Sequence, residues 1–368
     1  MSKKILIISI AAGSGHIRAA QALAEYAQAS LPDISAEHIN ISDIANPLIK
    51  LFNQDIFELS IENWPKAWGK AYEASDNRPM ASVLGRASKL QRPFNYKVSR
   101  YLKSKNPEGV IFTHPSLAQI MAASFRRYSP EIKLSLVATD YHVHSFYNAS
   151  NIDRFFVANQ NVKNNLLHAG VSEDKISITG IPINPRFYLK QDINELKRKY
   201  KIDNGRPTVL FIASWASGLL SESELVYIIK QLLEFKPEIN LIFLASGNKE
   251  AYDTAVRSFP GEKRLLTEIW TDAIDEYMKI SDIVISKAGG ITVSECLSLN
   301  KPMIIFNPMP GQEERNAEFV EENNFGVKVD SEKEIVSVLS KAMALSKDSS
   351  QSLAPKENPC TKIFQYFE

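Results

Sequence analysis

A chain of 368 residues exceeds what one ordinary hydrophobic core organises, so two packed domains are expected. Apolar residues at 44% and charged residues at 23% exclude a disordered, collagen-like or disulfide-scaffold protein. The formal charge of +1 leaves no global field to draw in nucleic acid, and Cys296 and Cys360 stand outside any CxxC pair, which argues against zinc ribbons and disulfide frameworks and points to a reducing, cytoplasmic setting.

The first apolar run, residues 5–10, reads as a strand. Lys3 and Lys4 before it would suit a short signal peptide, but Gly13-Ser14-Gly15-His16-Ile17-Arg18 stands where a cleavage site would fall. No run approaches the roughly 18 apolar residues of a spanning helix, so any membrane contact is expected to be peripheral. A helix is expected from about Ile17. The small-residue loop before it, with Gly13 and Gly15, brings backbone N–H groups close to a ligand, but it has neither the GxGxxG spacing nor the lysine of a Walker loop. It sets His16 at the tip of a strand-loop-helix corner, where ligands bind in open α/β sheets. A catalytic histidine and a plain loop donor fit this corner equally well.

Residues 47–105 break the α/β alternation with long helical patterns. Trp64, Trp68 and Tyr72 recur every four residues and form one aromatic stripe on a helix. From Asn77 to Pro107 there are eight basic residues, Arg86, Lys89 and Arg92 among them, and no acidic one. Docking on an anionic membrane surface explains both features; a solvated basic face beside a core-facing stripe is the alternative.

Strands follow at residues 109–113, 133–139 and 154–158, nearly continuous in Ile, Leu, Val and Phe, as strands covered on both faces should be. Asp140, His142 and His144 leave the second of these; as a metal site they lack a third strong ligand, so a role lining the ligand side of the domain ranks higher. Prolines around residues 182–185 and 207 flank a charged stretch, placing a domain junction near residues 185–205. A fresh series of strands begins there: 208–213, 240–245, 282–286 and 302–307. The organisation is therefore α/β with parallel sheets, in domains 1–185 and 205–345, followed by residues 346–368 as a polar loop and a final helix around Lys362 that packs back on the first domain.

Two further loops carry chemistry. Ser286-Lys287-Ala288-Gly289-Gly290-Ile291-Thr292-Val293-Ser294-Glu295 again runs from a strand into a helix. Exposed N–H groups at Gly289 and Gly290, hydroxyls at Thr292 and Ser294, and the charge of Lys287 suit a diphosphate. Glu295 fits either a ribose diol or a capping-box acid. The second loop, Asn307-Pro308-Met309-Pro310-Gly311-Gln312-Glu313-Glu314-Arg315-Asn316, makes a rigid polar edge for sugar hydroxyls, or an ordinary turn. Upstream, Trp270 and Thr271 end a short run from Leu265, where an indole can stack on a base or sit in the core.

With these pieces in order, the chain resembles the diacylglycerol glycosyltransferases of glycosyltransferase family 28, the group of monogalactosyldiacylglycerol synthases and processive diacylglycerol glucosyltransferases. The two loops just described carry the match most specifically. Gly13-Ser14-Gly15-His16, Thr139-Asp140-Tyr141-His142-Val143-His144 and Thr179-Gly180-Ile181-Pro182 add to it. The resemblance implies a GT-B fold, two Rossmann-like domains with parallel sheets facing a central cleft, with a lipid acceptor on the first and a UDP-sugar on the second. It implies that Trp270 and Thr271 meet uracil, Glu295 the ribose, Gly289, Gly290 and Thr292 the diphosphate, and Gln312, Glu313 and Asn316 the sugar. His16 becomes the candidate general base, with His144 and Asp140 lining the acceptor side; chemically, a neighbouring carboxylate such as Asp140 can hold the His16 tautomer. Two departures stand out: Ala213-Ser214-Trp215-Ala216-Ser217-Gly218 carries one glycine where the family has a glycine-rich turn, and Tyr147 replaces a common Trp.

The expected activity is inverting transfer of a hexose from a UDP-sugar to diacylglycerol at the cytoplasmic membrane face, with no tightly bound cofactor and no required divalent ion. The alternatives are a polyprenyl-linked acceptor, or a protein that senses UDP-sugar without chemistry. Spacing does not distinguish glucose from galactose, because one hydroxyl is read by side-chain placement.

Overall fold

A computed structural model describes residues 2–11, 13–44, 100–143, 147, 149, 151–213, 220–345 and 353–368. Trp64, Trp68, Tyr72, Arg86, Lys89, Arg92, His144 and residues 214–218 lie outside them. Contacts divide the chain into two units: Met1–Pro185 with Pro310–Gln312 and Pro355–Glu368, and Arg186–Met309 with Glu313–Ala354.

The first unit is a parallel sheet of β1 (Lys3–Ser9), β2 (Ile34–Asn40), β3 (Gly109–Phe112), β4 (Lys133–Val137), β5 (Arg154–Val157) and β6 (Ile176–Ile178), in the order β2-β1-β3-β4-β5-β6. Among the described residues its helices before the C-terminal segment are α1 (Ser14–Ser30), the single turn α2 (Ile41–Ile44), α3 (Pro115–Tyr128) and α4 (Gln160–His168). Alternation along the central strands sorts side chains to two faces. Leu6, Ile8, Val110, Phe112, Leu134 and Phe155 pack with Leu117, Met121 and Phe125 of α3. Ile5, Ile7, Ile111, Val137 and Phe156 face Ala20, Leu23 and Ala27 of α1. Each fully buried aliphatic or aromatic side chain contributes roughly 2 kcal/mol of transfer free energy, and this two-sided burial explains the unbroken apolar runs.

The C-terminal segment completes that second face: Cys360, Ile363, Phe364 and Phe367 join its core. Phe367 seats against Gly109, where a Cβ would collide with its ring. Lys3 and Lys133 donate to the Phe367 and Tyr366 carbonyls at 3.0 and 2.7 Å.

The second unit holds β7 (Thr208–Ile212), β8 (Asn240–Leu244), β9 (Leu265–Glu268), β10 (Ile283–Ser286), β11 (Met303–Phe306) and β12 (Gly326–Val329), ordered β12-β11-β10-β7-β8-β9. Its helices are α5 (Ile193–Lys199), α6 (Glu222–Glu234), α7 (Lys249–Ser258), α8 (Ile274–Ile280), α9 (Gly290–Ser298), α10 (Gln312–Glu322) and α11 (Ile335–Leu345); α12 (Pro359–Gln365) is the C-terminal helix of the first unit. Residues from Arg186 onward belong to the second unit. The buried ammonium of Lys279 requires partners, and it donates to the Arg186 carbonyl at 2.7 Å and to Asp275 at 3.1 Å. The strands that sequence reasoning omitted, β2, β6 and β12, are all sheet edges.

Candidate active site

The order of the first sheet reverses between β1 and β3, so the chain leaves these neighbours in opposite directions and opens a crevice at their carboxyl ends. His16 stands there, on the first turn of α1. The helix begins at Ser14, earlier than expected, because Gly13 supplies a non-helical N-cap at φ 77° and ψ 165°, a conformation open to glycine.

His16 is 8% exposed, and its Nδ1 lies 2.6 Å from the Thr113 carbonyl, at the end of β3. A carbonyl only accepts, so Nδ1 carries the proton and Nε2 keeps its lone pair. Thr139 Oγ1, 3.0 Å from the same nitrogen, shares that N–H as an acceptor. In return, Thr113 Oγ1 donates to the His16 carbonyl at 2.9 Å. The tautomer is thus set by Thr113, not by the Asp140 carboxylate assigned to it from the sequence. Asp140 is buried and accepts from Gln312 Nε2 at 3.3 Å within the first unit. Burial pushes the His16 pKa down to about 4, with the Thr113 carbonyl opposing the shift.

Sequence reasoning missed His114. It caps α3, its Nδ1 accepting from the Ser116 N–H at 3.2 Å, and its ring meets His16 edge to face at 4.5 Å. The signal was present as Thr113-His114-Pro115, a histidine leaving a strand before a helix-starting proline, a second corner like that of His16.

In the second unit the strand order reverses between β7 and β10, and the Ser286–Gly290 loop leaves β10 at that crevice. A small pocket there is lined by Phe211, Ala213, Ser286, Lys287, Phe306 and Asn307. Gly289 is the N-cap of α9 with no side chain capping it, so its first N–H groups point outward. Glu295 lies beyond the capping position and is 1% exposed, which removes the capping-box alternative.

Lys287 pairs with Glu313 Oε1 at 3.4 Å, while Glu313 Oε2 accepts from the Met309 N–H at 2.7 Å. The lysine charge expected to face a diphosphate and the carboxylate expected to face a sugar neutralise one another in this state. Asn316 has no exposure and donates from Nδ2 to the Ala288 carbonyl at 2.9 Å, so its side chain braces the Gly289 loop rather than offering itself to a sugar. Trp270 is 64% exposed at the end of β9, outside the core. Among the described residues no group of three or more His, Cys, Asp or Glu side chains is arranged to hold a metal ion, and no helix is long and apolar enough to cross a membrane.

The chain matches two family models in succession: residues 16–183 that of monogalactosyldiacylglycerol (MGDG) synthase, and residues 220–365 that of the glycosyltransferase family 28 C-terminal domain. The processive diacylglycerol beta-glucosyltransferase of Staphylococcus epidermidis is 27% identical over 344 residues, covering 92% of this chain and 84% of the relative. The enzyme of the same name from Bacillus subtilis is 25% identical over 354 residues, 93% of this chain and 87% of its own. Among solved structures, MurG of Acinetobacter baumannii superimposes with a TM-score of 0.60 at 12% identity, covering 99% of each chain. The Staphylococcus aureus MnaA–UDP co-structure gives 0.61 at 14% identity, covering 99% of this chain and 96% of that one. Two parallel α/β units, each with its own switch point, make up the GT-B fold, and the family matches make the chain a glycosyltransferase. The two matches together span most of the chain, which resembles the diacylglycerol glycosyltransferases of family 28.

Proposed function

We propose that this enzyme moves a hexose from a UDP-sugar to the hydroxyl of diacylglycerol, inverting the anomeric carbon, as a peripheral protein of the inner membrane face. The observation that carries the reading is the His16 ring, held with its proton on Nδ1 so that Nε2 is a ready base at the carboxyl edge of the first sheet. In this reading Nε2 takes the proton of the lipid hydroxyl as its oxygen attacks the anomeric carbon. The bond from that carbon to UDP breaks, and its electron pair leaves on the β-phosphate. The N–H groups at the start of α9 meet that charge, which requires no divalent ion in this route.

Backside attack turns an α-linked donor into a β-linked product. The relatives are named diacylglycerol beta-glucosyltransferases, which supports both the acceptor and that stereochemistry. Exposed Trp270 is available to stack on uracil, and the resemblance assigns Glu295 to the ribose and Gln312 with Glu313 to the sugar. The basic and aromatic segments around Trp64 and Arg86 serve membrane docking.

The test is incubation of purified protein with a panel of UDP-sugars and diacylglycerol in phosphatidylglycerol vesicles, with mass spectrometry and NMR of the lipids. A β-glycolipid is expected, and His16→Ala lowers its formation by about 10²–10⁴-fold while UDP binding persists. Donor binding without any lipid product would instead mark a sensor, and an α-linked product would end the inverting mechanism.

A further inference from the structure

His16 and His114 sit at two neighbouring corners of one sheet, and adjacent residues fix both rings. The Thr113 carbonyl holds the proton of His16 on Nδ1. The next residue, His114, uses its own Nδ1 to accept from the Ser116 N–H, so its proton resides on Nε2. The rings are locked in opposite tautomers and packed edge to face, 4.5 Å apart at 73°. His114 cannot act as a second base: one nitrogen caps α3 and the other already carries a proton. Its pKa is held well below the ordinary range by burial and by the neighbouring His16, so the pair stays neutral. Arg18 on α1 and Asp140 after Thr139 are the other ionisable side chains next along the elements packed on His16.

We infer that His114 is a positioning residue for His16: anchored as the cap of α3, its ring pins the His16 imidazole in the one orientation that presents Nε2 as the base. A half-turn of the His16 ring about its Cβ–Cγ bond would put Cδ2 in place of Nδ1, lose the Thr113 bond and point Nε2 to the other side, and the His114 ring packed against it opposes that turn. The assignment rests on the reading of His16 as the base.

Two variants separate ring from cap. His114→Asn keeps a good N-cap and removes the ring, whereas His114→Phe keeps a ring and removes the cap. Imidazole ¹⁵N NMR of His16 reports its tautomer and titration independently of turnover, and steady-state kinetics on vesicles report kcat and KM. In His114→Asn the single Nδ1–H tautomer becomes a mixture and the titration rises from about 4 toward 6.5. In that variant kcat falls at least about tenfold with KM for the UDP-sugar unchanged. His114→Phe keeps tautomer and kcat but melts at lower temperature. An unchanged His16 tautomer and titration in His114→Asn overturns the inference, as does loss of the tautomer in His114→Phe, which would assign the effect to the cap. A changed tautomer with unchanged kcat leaves the ring clamp standing and removes His16 as the base.

Discussion

Asn316, wholly removed from solvent, donates its side-chain amide to the Ala288 carbonyl across 28 residues of sequence. That bond ties α10 to the loop from which α9 starts. Removing it in Asn316→Ala strands a buried carbonyl, costing about 1–3 kcal/mol, and frees the loop. UDP affinity is expected to fall about tenfold, by the same energy if the ligand must re-form the loop. Calorimetric titration checks this, and unimpaired UDP binding would detach Asn316 from the donor site.

A histidine base whose pKa lies near 4 stays neutral through the whole physiological range. The acid limb of kcat/KM, which reports the free enzyme, is expected close to pH 4 instead of 6.5. Rates measured between pH 7.5 and 4 on vesicles decide it. A limb centred at 6.5 would mean that the base is a solvated histidine.

The same burial makes stability depend on pH. Between about 4 and 6.5 the unfolded chain binds a proton at His16 that the folded chain refuses, so stability rises with pH across this window and is lost on going down through it. From pH 7 to pH 5 the His16 share amounts to about 2 kcal/mol. His114, also depressed by burial, acts in the same direction. Urea unfolding at the two pH values should show a smaller difference in His16→Gln than in the parent; an equal difference would contradict burial of the ring.

Gly109 has no room for a side chain because Phe367 fills it. Gly109→Ala is expected to lower stability by about 1–3 kcal/mol through overpacking, and a second change, Phe367→Leu, to recover part of that loss. Thermal melts of the single and double variants test the pair. Additive losses would show that the two positions do not meet.

The central strands were legible because both of their faces are covered, leaving apolar runs such as Ile5 to Ile8. The edges were not: β2 mixes exposed and buried positions, β6 has three residues, and β12 reads Gly-Val-Lys-Val with only its ends buried. His16 and the Gly289 loop were found because a strand running into a small-residue corner is a local pattern. Thr113, 97 residues from His16, follows from sheet order, which spacing does not encode. The inward turn of Asn316 and the pairing of Lys287 with Glu313 likewise depend on how α10 meets the β10 loop, a tertiary matter.

Cys360, Ile363, Phe364 and Phe367 complete the packing begun by Ile5 and Ile7. A ribosome emits those partners more than 350 residues apart, so the N-terminal unit waits for residues 360–367 before its interior can close. Nascent chains stalled before residue 359 should remain protease-sensitive in that unit even when the whole middle of the polypeptide has emerged, and a fragment cut at the unit boundary is a poor candidate for autonomous expression.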